Sequence, residues 1–157
     1  MSLSSSFSRF LLFKLMGWKI IGKVPSGVKK YILIVAPHTS NWDFFIGFFS
    51  FYILNIRTKI LIKKEWFFFP LNILMKKKGY IPVDRQRQNN LIQFVADEFS
   101  KHESFTVLIT PEGTRKKNPH WKKGFYHIAL LAHVPIVFGF LDYAKKEGGI
   151  GGILYPS

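Results

Sequence analysis

The sequence predicts a single α/β domain whose largely parallel central sheet is covered by helices on both faces. Three observations carry this expectation. Short apolar runs rich in β-branched residues alternate with longer runs of helical periodicity along the whole chain. The strand candidates are apolar nearly throughout, as strands buried on both faces are. A chain of 157 residues suffices for one core but not for two ordinary domains and a linker. One domain is therefore expected over residues 1–157.

Taken in order, the elements begin with a helix over residues 7–21. Arg9, Lys14 and Lys19 recur on it every five residues, a step of about 140° that spreads charge around the helix and leaves no clean apolar stripe. Its long basic side chains would let it lie at a membrane interface. Val24, Pro25, Ser26 and Gly27 read as a turn, and residues 31–36 (YILIVA) as a buried strand ended by Pro37. The alternation continues with a helix over 42–55, a strand over 58–62, a helix over 65–75 and a strand over 79–83. A helix over 90–101 presents Leu91, Phe94, Val95 and Phe99 on one face, followed by a strand over 105–110. A last helix over 121–132 leads into an apolar run over 134–141, and residues 150–155 begin another strand. Chains that end at Ser157 and chains that continue past it both fit this reading.

Composition narrows the partners. Apolar residues make up 48% of the chain and aromatics 17%, including 17 Phe, which excludes disorder from low hydrophobicity. A net charge of +14 points to an anionic partner, either nucleic acid or a membrane with acidic lipids. The phenylalanines stand in blocks (Phe44-Phe45, Phe48-Phe49, Phe67-Phe68-Phe69) and not singly between basic residues, so lipid is favoured and no nucleic acid is expected. The absence of cysteine excludes a disulfide framework, a thiolate metal site and a cysteine acyl-enzyme. The N-terminus lacks the positive region of a secretory signal. Residues 44–56, the longest apolar stretch, would reach about 20 Å as a helix against a hydrocarbon core of about 30 Å, too short to span.

Three polar clusters follow directly on expected strands: Pro37 to Asp43, Asp84-Arg85, and Pro111-Glu112-Gly113-Thr114-Arg115. Ligands of open α/β sheets bind at the carboxyl ends of strands, so these clusters are expected at one edge. His38 and Asp43 are five residues apart and can meet only if His38 lies in the loop and Asp43 in the first turn of the next helix, with Ser40 or Asn41 as N-cap. A carboxylate there could fix the imidazole tautomer and stabilise the imidazolium formed on proton abstraction. No G-x-S-x-G occurs, so the reacting hydroxyl would belong to a substrate. Taken singly, each cluster also fits a structural role: Asp43 favours the helix dipole, His38 closes a loop, Arg85 is a solvated charge and Pro111 to Gly113 form a turn. The remaining histidines, His102, His120, His127 and His133, show no ligand spacing, and no metal site is expected. Lys116, Lys117, Lys122 and Lys123 are either a solvated face or an attractor of phosphates. The Trp66 to Phe69 run is either core or acyl groove.

The same clusters carry a resemblance. HTSNWD, residues 38–43, resembles the H-x-x-x-x-D motif of the glycerolipid acyltransferase family, which includes bacterial 1-acylglycerol-3-phosphate acyltransferases. GYIPVDR (79–85), PEGTR (111–115) and HVPIV (133–137) are similar to its second, third and fourth motifs, in the family's order. The resemblance implies His38 as general base on an acceptor hydroxyl, Asp43 as its partner, and Arg85 with Glu112, Gly113, Thr114 and Arg115 as binders of the acceptor's glycerol phosphate. The Val134 to Val137 region is implied as part of an apolar wall. The donor would be an acyl thioester of coenzyme A or acyl carrier protein, with no further cofactor, and the acceptor a lysophosphatidate-type lysophospholipid. Arg suits the phosphate role because its planar fork matches phosphate oxygens in pairs. Ala36-Pro37 stands where the family often has an Asn, and no long N-terminal anchor is present. Attachment, peripheral or monotopic on the cytoplasmic face of a membrane, would then fall to the basic surface and the Phe-rich segments. Another lysolipid or an aminoacyl lipid as acceptor, or a catalytically idle membrane-binding protein, remain alternatives at this level.

Overall fold

The structure, a computed structural model, describes residues 3–37, 42–56, 59–63, 71–77, 80–83, 88–112 and 120–157. Helix α1 (Leu3–Arg9) runs into a π-helical stretch (Phe10–Leu15), then come β1 (Lys19–Ile21), β2 (Lys30–Val35), α2 (Trp42–Ile53), β3 (Lys59–Lys63) and α3 (Leu71–Lys77). They are followed by β4 (Ile81–Val83), α4 (Gln88–Lys101), β5 (Phe105–Ile109), α5 (Gly124–Ala132), β6 (Ile136–Asp142) and β7 (Glu147–Leu154). The strands make one sheet in the order β1-β7-β6-β2-β5-β3-β4. Neighbours are parallel except β6 and β7. The expected α/β class and largely parallel sheet are thus observed.

Strand β2 shows why both faces are covered. Its side chains alternate, so Ile32 and Ile34 enter a core with Val95 and Phe99 of α4 and Ile128 and Ala129 of α5. Tyr31 and Leu33 point the other way, into a cluster with Ile56 that Phe51 and Leu54 border. Phe94 was expected on the buried face of α4 but is 40% exposed. It sits about 100° from Val95 on the helix, outside the arc that Leu91, Val95 and Phe99 share.

Two expectations are corrected. The N-terminal helix does not continue to residue 21: it ends at Leu15, and Lys19 to Ile21 pair with Glu147 to Gly149 as a parallel edge strand. Gly17, at φ +70°, breaks the helix, and the amide of Trp18 bonds the carbonyl of Leu12 at 2.8 Å. The last helix begins at Gly124 and not at Trp121, because the amide of Lys122 is held by the carbonyl of Pro111 at 2.9 Å. The first part of the helix expected over 65–75 lies outside the described residues. Helix α2 ends on Asn55 in the left-handed conformation (φ 54°), with the Ile56 amide bonding the Phe51 carbonyl at 2.8 Å.

Candidate active site

The register of the parallel strands brings the carboxyl ends of β2, β4 and β5 to one edge. Ile34 of β2 lies opposite Ile109 of β5, so Pro37 and Glu112 each leave the sheet three residues further along on neighbouring strands. Lys63 of β3 lies opposite Val83 of β4, so β4 ends at the same edge. On the other side of β2, the amide of Ala36 bonds the carbonyl of Gly139 in β6 at 3.3 Å. His38, Arg85, Gly113, Thr114 and Arg115 themselves lie outside the described residues. Asp43 and Glu112 are described, and both are buried, at 5% and 8% exposure.

Asp43 occupies the first turn of α2, as expected, where its charge favours the dipole of a helix lying against the sheet. A buried carboxylate must find donors. One comes from a contact not anticipated from sequence: the Tyr143 hydroxyl donates a hydrogen bond to Asp43 Oδ1 across 100 residues. Tyr143 belongs to the connection between β6 and the antiparallel β7, which turns back at the same edge of the sheet. Its ring meets Trp18 edge-on, with centroids 5.1 Å apart and planes at 89°. The only sequence signal for this contact was an aromatic residue in a short strand connection, and that signal has meaning only once β7 is known to fold back beside β6.

The segment implied as an apolar wall lies elsewhere. Ile136 pairs with Ile32, three residues before the Val35–Gly139 pair, so it sits about 10 Å from the edge where the polar clusters emerge. Val134, Ile136 and Val137 are buried in the core at 0–5% exposure. Beneath α2, Gly47, Ser50, Gly139 and Gly149 leave an apolar hollow of about 30 Å³ against Leu33 and Leu141. That is room for a water or two. Among the described residues no group of three or more His, Asp or Glu could hold a metal.

The family model described as Acyltransferase matches residues 19–137, from β1 into β6. The chain belongs to the acyltransferase family. It is 31% identical over 115 residues to a 1-acyl-sn-glycerol-3-phosphate acyltransferase of Limnanthes douglasii, a stretch covering 69% of this chain and 40% of that protein. It is 34% identical over 111 residues to the beta 1-acyl-sn-glycerol-3-phosphate acyltransferase of Homo sapiens, covering 67% and 39%. The chain thus spans about two fifths of these curated relatives. Its fold is that of the 1-acyl-sn-glycerophosphate acyltransferase PlsC from Thermotoga maritima, with a TM-score of 0.70 at 15% identity, over 98% of this chain and 68% of that one. Within this acyltransferase family member, Asp43 and Glu112 fall inside the matched segment, whereas Tyr143 lies beyond it.

Proposed function

We propose that this protein transfers a fatty acyl group from an acyl thioester, of coenzyme A or acyl carrier protein, to a hydroxyl of a lysophosphatidate-type acceptor at a membrane surface. The observation that carries this reading is the buried carboxylate of Asp43 in the first turn of α2, five residues after His38 in the family's motif. His38 takes the acceptor's hydroxyl proton, and the oxygen attacks the thioester carbonyl carbon. As the C–S bond breaks, the imidazolium returns the proton to the leaving thiolate. Asp43 orients the imidazole and balances its transient charge. Arg85 and Arg115, with Glu112, Gly113 and Thr114, hold the acceptor's phosphate, and the family's second and third motifs support this assignment.

Attachment to the membrane draws support from an aromatic stripe that begins beside Asp43. Trp42 and Phe45 are 61% and 51% exposed. They pack 5.8 Å apart, and Phe49, one turn on, meets Phe7 of α1 at 6.3 Å between centroids. Phe7 and Phe10 are themselves 59% and 52% exposed. Exposed apolar side chains grouped on two adjoining helices in this way support an interaction site there. Among the described residues no helix is long and apolar enough to cross a membrane. The attachment proposed through this surface is peripheral or monotopic. With a charge of +14, the anionic cytoplasmic leaflet is the favoured surface.

Mass spectrometry of products tests the reading, with the purified chain offered a panel of lysolipids and both kinds of acyl thioester. Lysophosphatidate should be acylated, and His38→Ala should lose about 10²- to 10⁴-fold in turnover, the usual worth of a general base. Transfer to another lysolipid alone would reassign the acceptor. Near-normal transfer by His38→Ala would rule out the base, and no thioester-dependent product from any acceptor would leave a membrane-binding protein.

A further inference from the structure

We propose that Tyr143 is a positioning residue of the active site, its phenol holding one oxygen of the Asp43 carboxylate so that the other is presented to His38. The inference rests on the dyad reading above and extends it to a residue outside the segment that matches the family model. Its first support is burial. At 5% exposure Asp43 is largely cut off from water, and an ionised carboxylate in such a place is oriented by the donors that reach it. The Tyr143 hydroxyl is one, donating to Oδ1.

The second support is how firmly Tyr143 is itself held. The four residues joining β6 to β7 are tied at both ends. Asp142 Oδ1 accepts from the Lys145 amide at 3.1 Å, and the Lys146 carbonyl accepts from the Lys19 amide at 2.8 Å. Lys146 Nζ reaches across to the carbonyl of Met16 at 3.3 Å. Trp18, 4% exposed, lies edge-on against the Tyr143 ring. The ring, 42% exposed, thus rests on Trp18 of the N-terminal segment and is carried by a turn tied at both ends, and its hydroxyl reaches Asp43. A ring left merely for packing would not need its oxygen on a buried carboxylate.

The third support is chemical. A phenol is a neutral donor, so it fixes the carboxylate without cancelling its charge, and Asp43 keeps the charge that would balance an imidazolium. A Lys or Arg in the same place would compete with His38 for that carboxylate. In the transfer step the phenol proton stays on Tyr143.

The test is a double-mutant cycle on the full chain with Tyr143→Phe, Asp43→Asn and the pair, acceptor and donor being varied separately. Phe keeps the ring against Trp18, and circular dichroism melts check that it does. Tyr143→Phe should lower kcat about 10- to 100-fold, as removing a group that orients a reacting ligand does, with both KM values little changed. In the Asp43→Asn background the same change should have almost no further effect, since a residue that acts through Asp43 has nothing left to act on. Wild-type kcat in Tyr143→Phe, losses that multiply in the double variant, a defect confined to KM, or a lost cooperative melt would each overturn the assignment. Full activity in Asp43→Asn would instead remove the dyad itself, and the inference with it.

Discussion

At Gly149 a single added methyl group tests how the site's edge is held. Its φ is +146°, and a Cβ built there would lie 1.8 Å from the carbonyl oxygen of Ile21 in β1. That oxygen belongs to backbone and cannot swing aside, so Gly149→Ala should push β1 off β7 and loosen the Trp18 support of Tyr143. The expected cost is more than about 1 kcal/mol, read as an earlier denaturant midpoint. Gly124→Ala, where a Cβ meets nothing within 4 Å, is the control and should leave the midpoint in place. Equal midpoints for the two variants would contradict this account of the β1–β7 seam. Residues of the candidate site differ in how far sequence reveals them. Asp43 was legible because a strand, a short loop and a helix start dictate its place locally. Tyr143 was not, because its contact spans 100 residues and depends on a strand pairing that no local pattern records.

Among the elements, the parallel strands β2 to β5 were legible because each is a short apolar run, three of them closed by a polar cluster. The edge strand β1 was not, and of β7 only the part from residue 150 was expected. Lys19-Ile20-Ile21 continues the helical stretch in sequence, and β7 is so rich in glycine that little but Ile150, Ile153 and Leu154 signals a strand. Tertiary pairing overrides propensity in β1 and at the glycine-rich start of β7. Helices α1 and α2 carry a prediction of their own. If the aromatic stripe enters a bilayer, Phe7→Ser and Phe45→Ser should each weaken binding to vesicles by about fivefold, since a half-exposed Phe has about 1 kcal/mol of burial still to gain. Each change should also cost on the order of 1 kcal/mol of stability, because the buried half of each ring is lost, so binding is compared where both variants remain folded. Cosedimentation unaffected by either change would remove the stripe as an anchor.

For the whole molecule, net charge and apolar surface should act as separable forces. With +14, binding to anionic vesicles should exceed binding to neutral ones. Raising salt to about 1 M, where the Debye length falls to about 3 Å, should release the electrostatic part and leave the part that depends on Phe7 and Phe45. Equal binding to both vesicle types at all salt concentrations would show that the basic surface contributes nothing. The seam between β1 and β7 has a consequence in time. Lys19 pairs with Glu147, 128 positions later (147 − 19). At about 5–20 residues per second, translation takes on the order of ten seconds to cover that distance. From residue 69 onward the nascent chain carries its phenylalanine blocks, while β1 has no neighbour and Asp43 no tyrosine. Only when synthesis has passed residue 147 can the edge around Asp43 close, so an unfinished chain would meet a membrane before it had an assembled site.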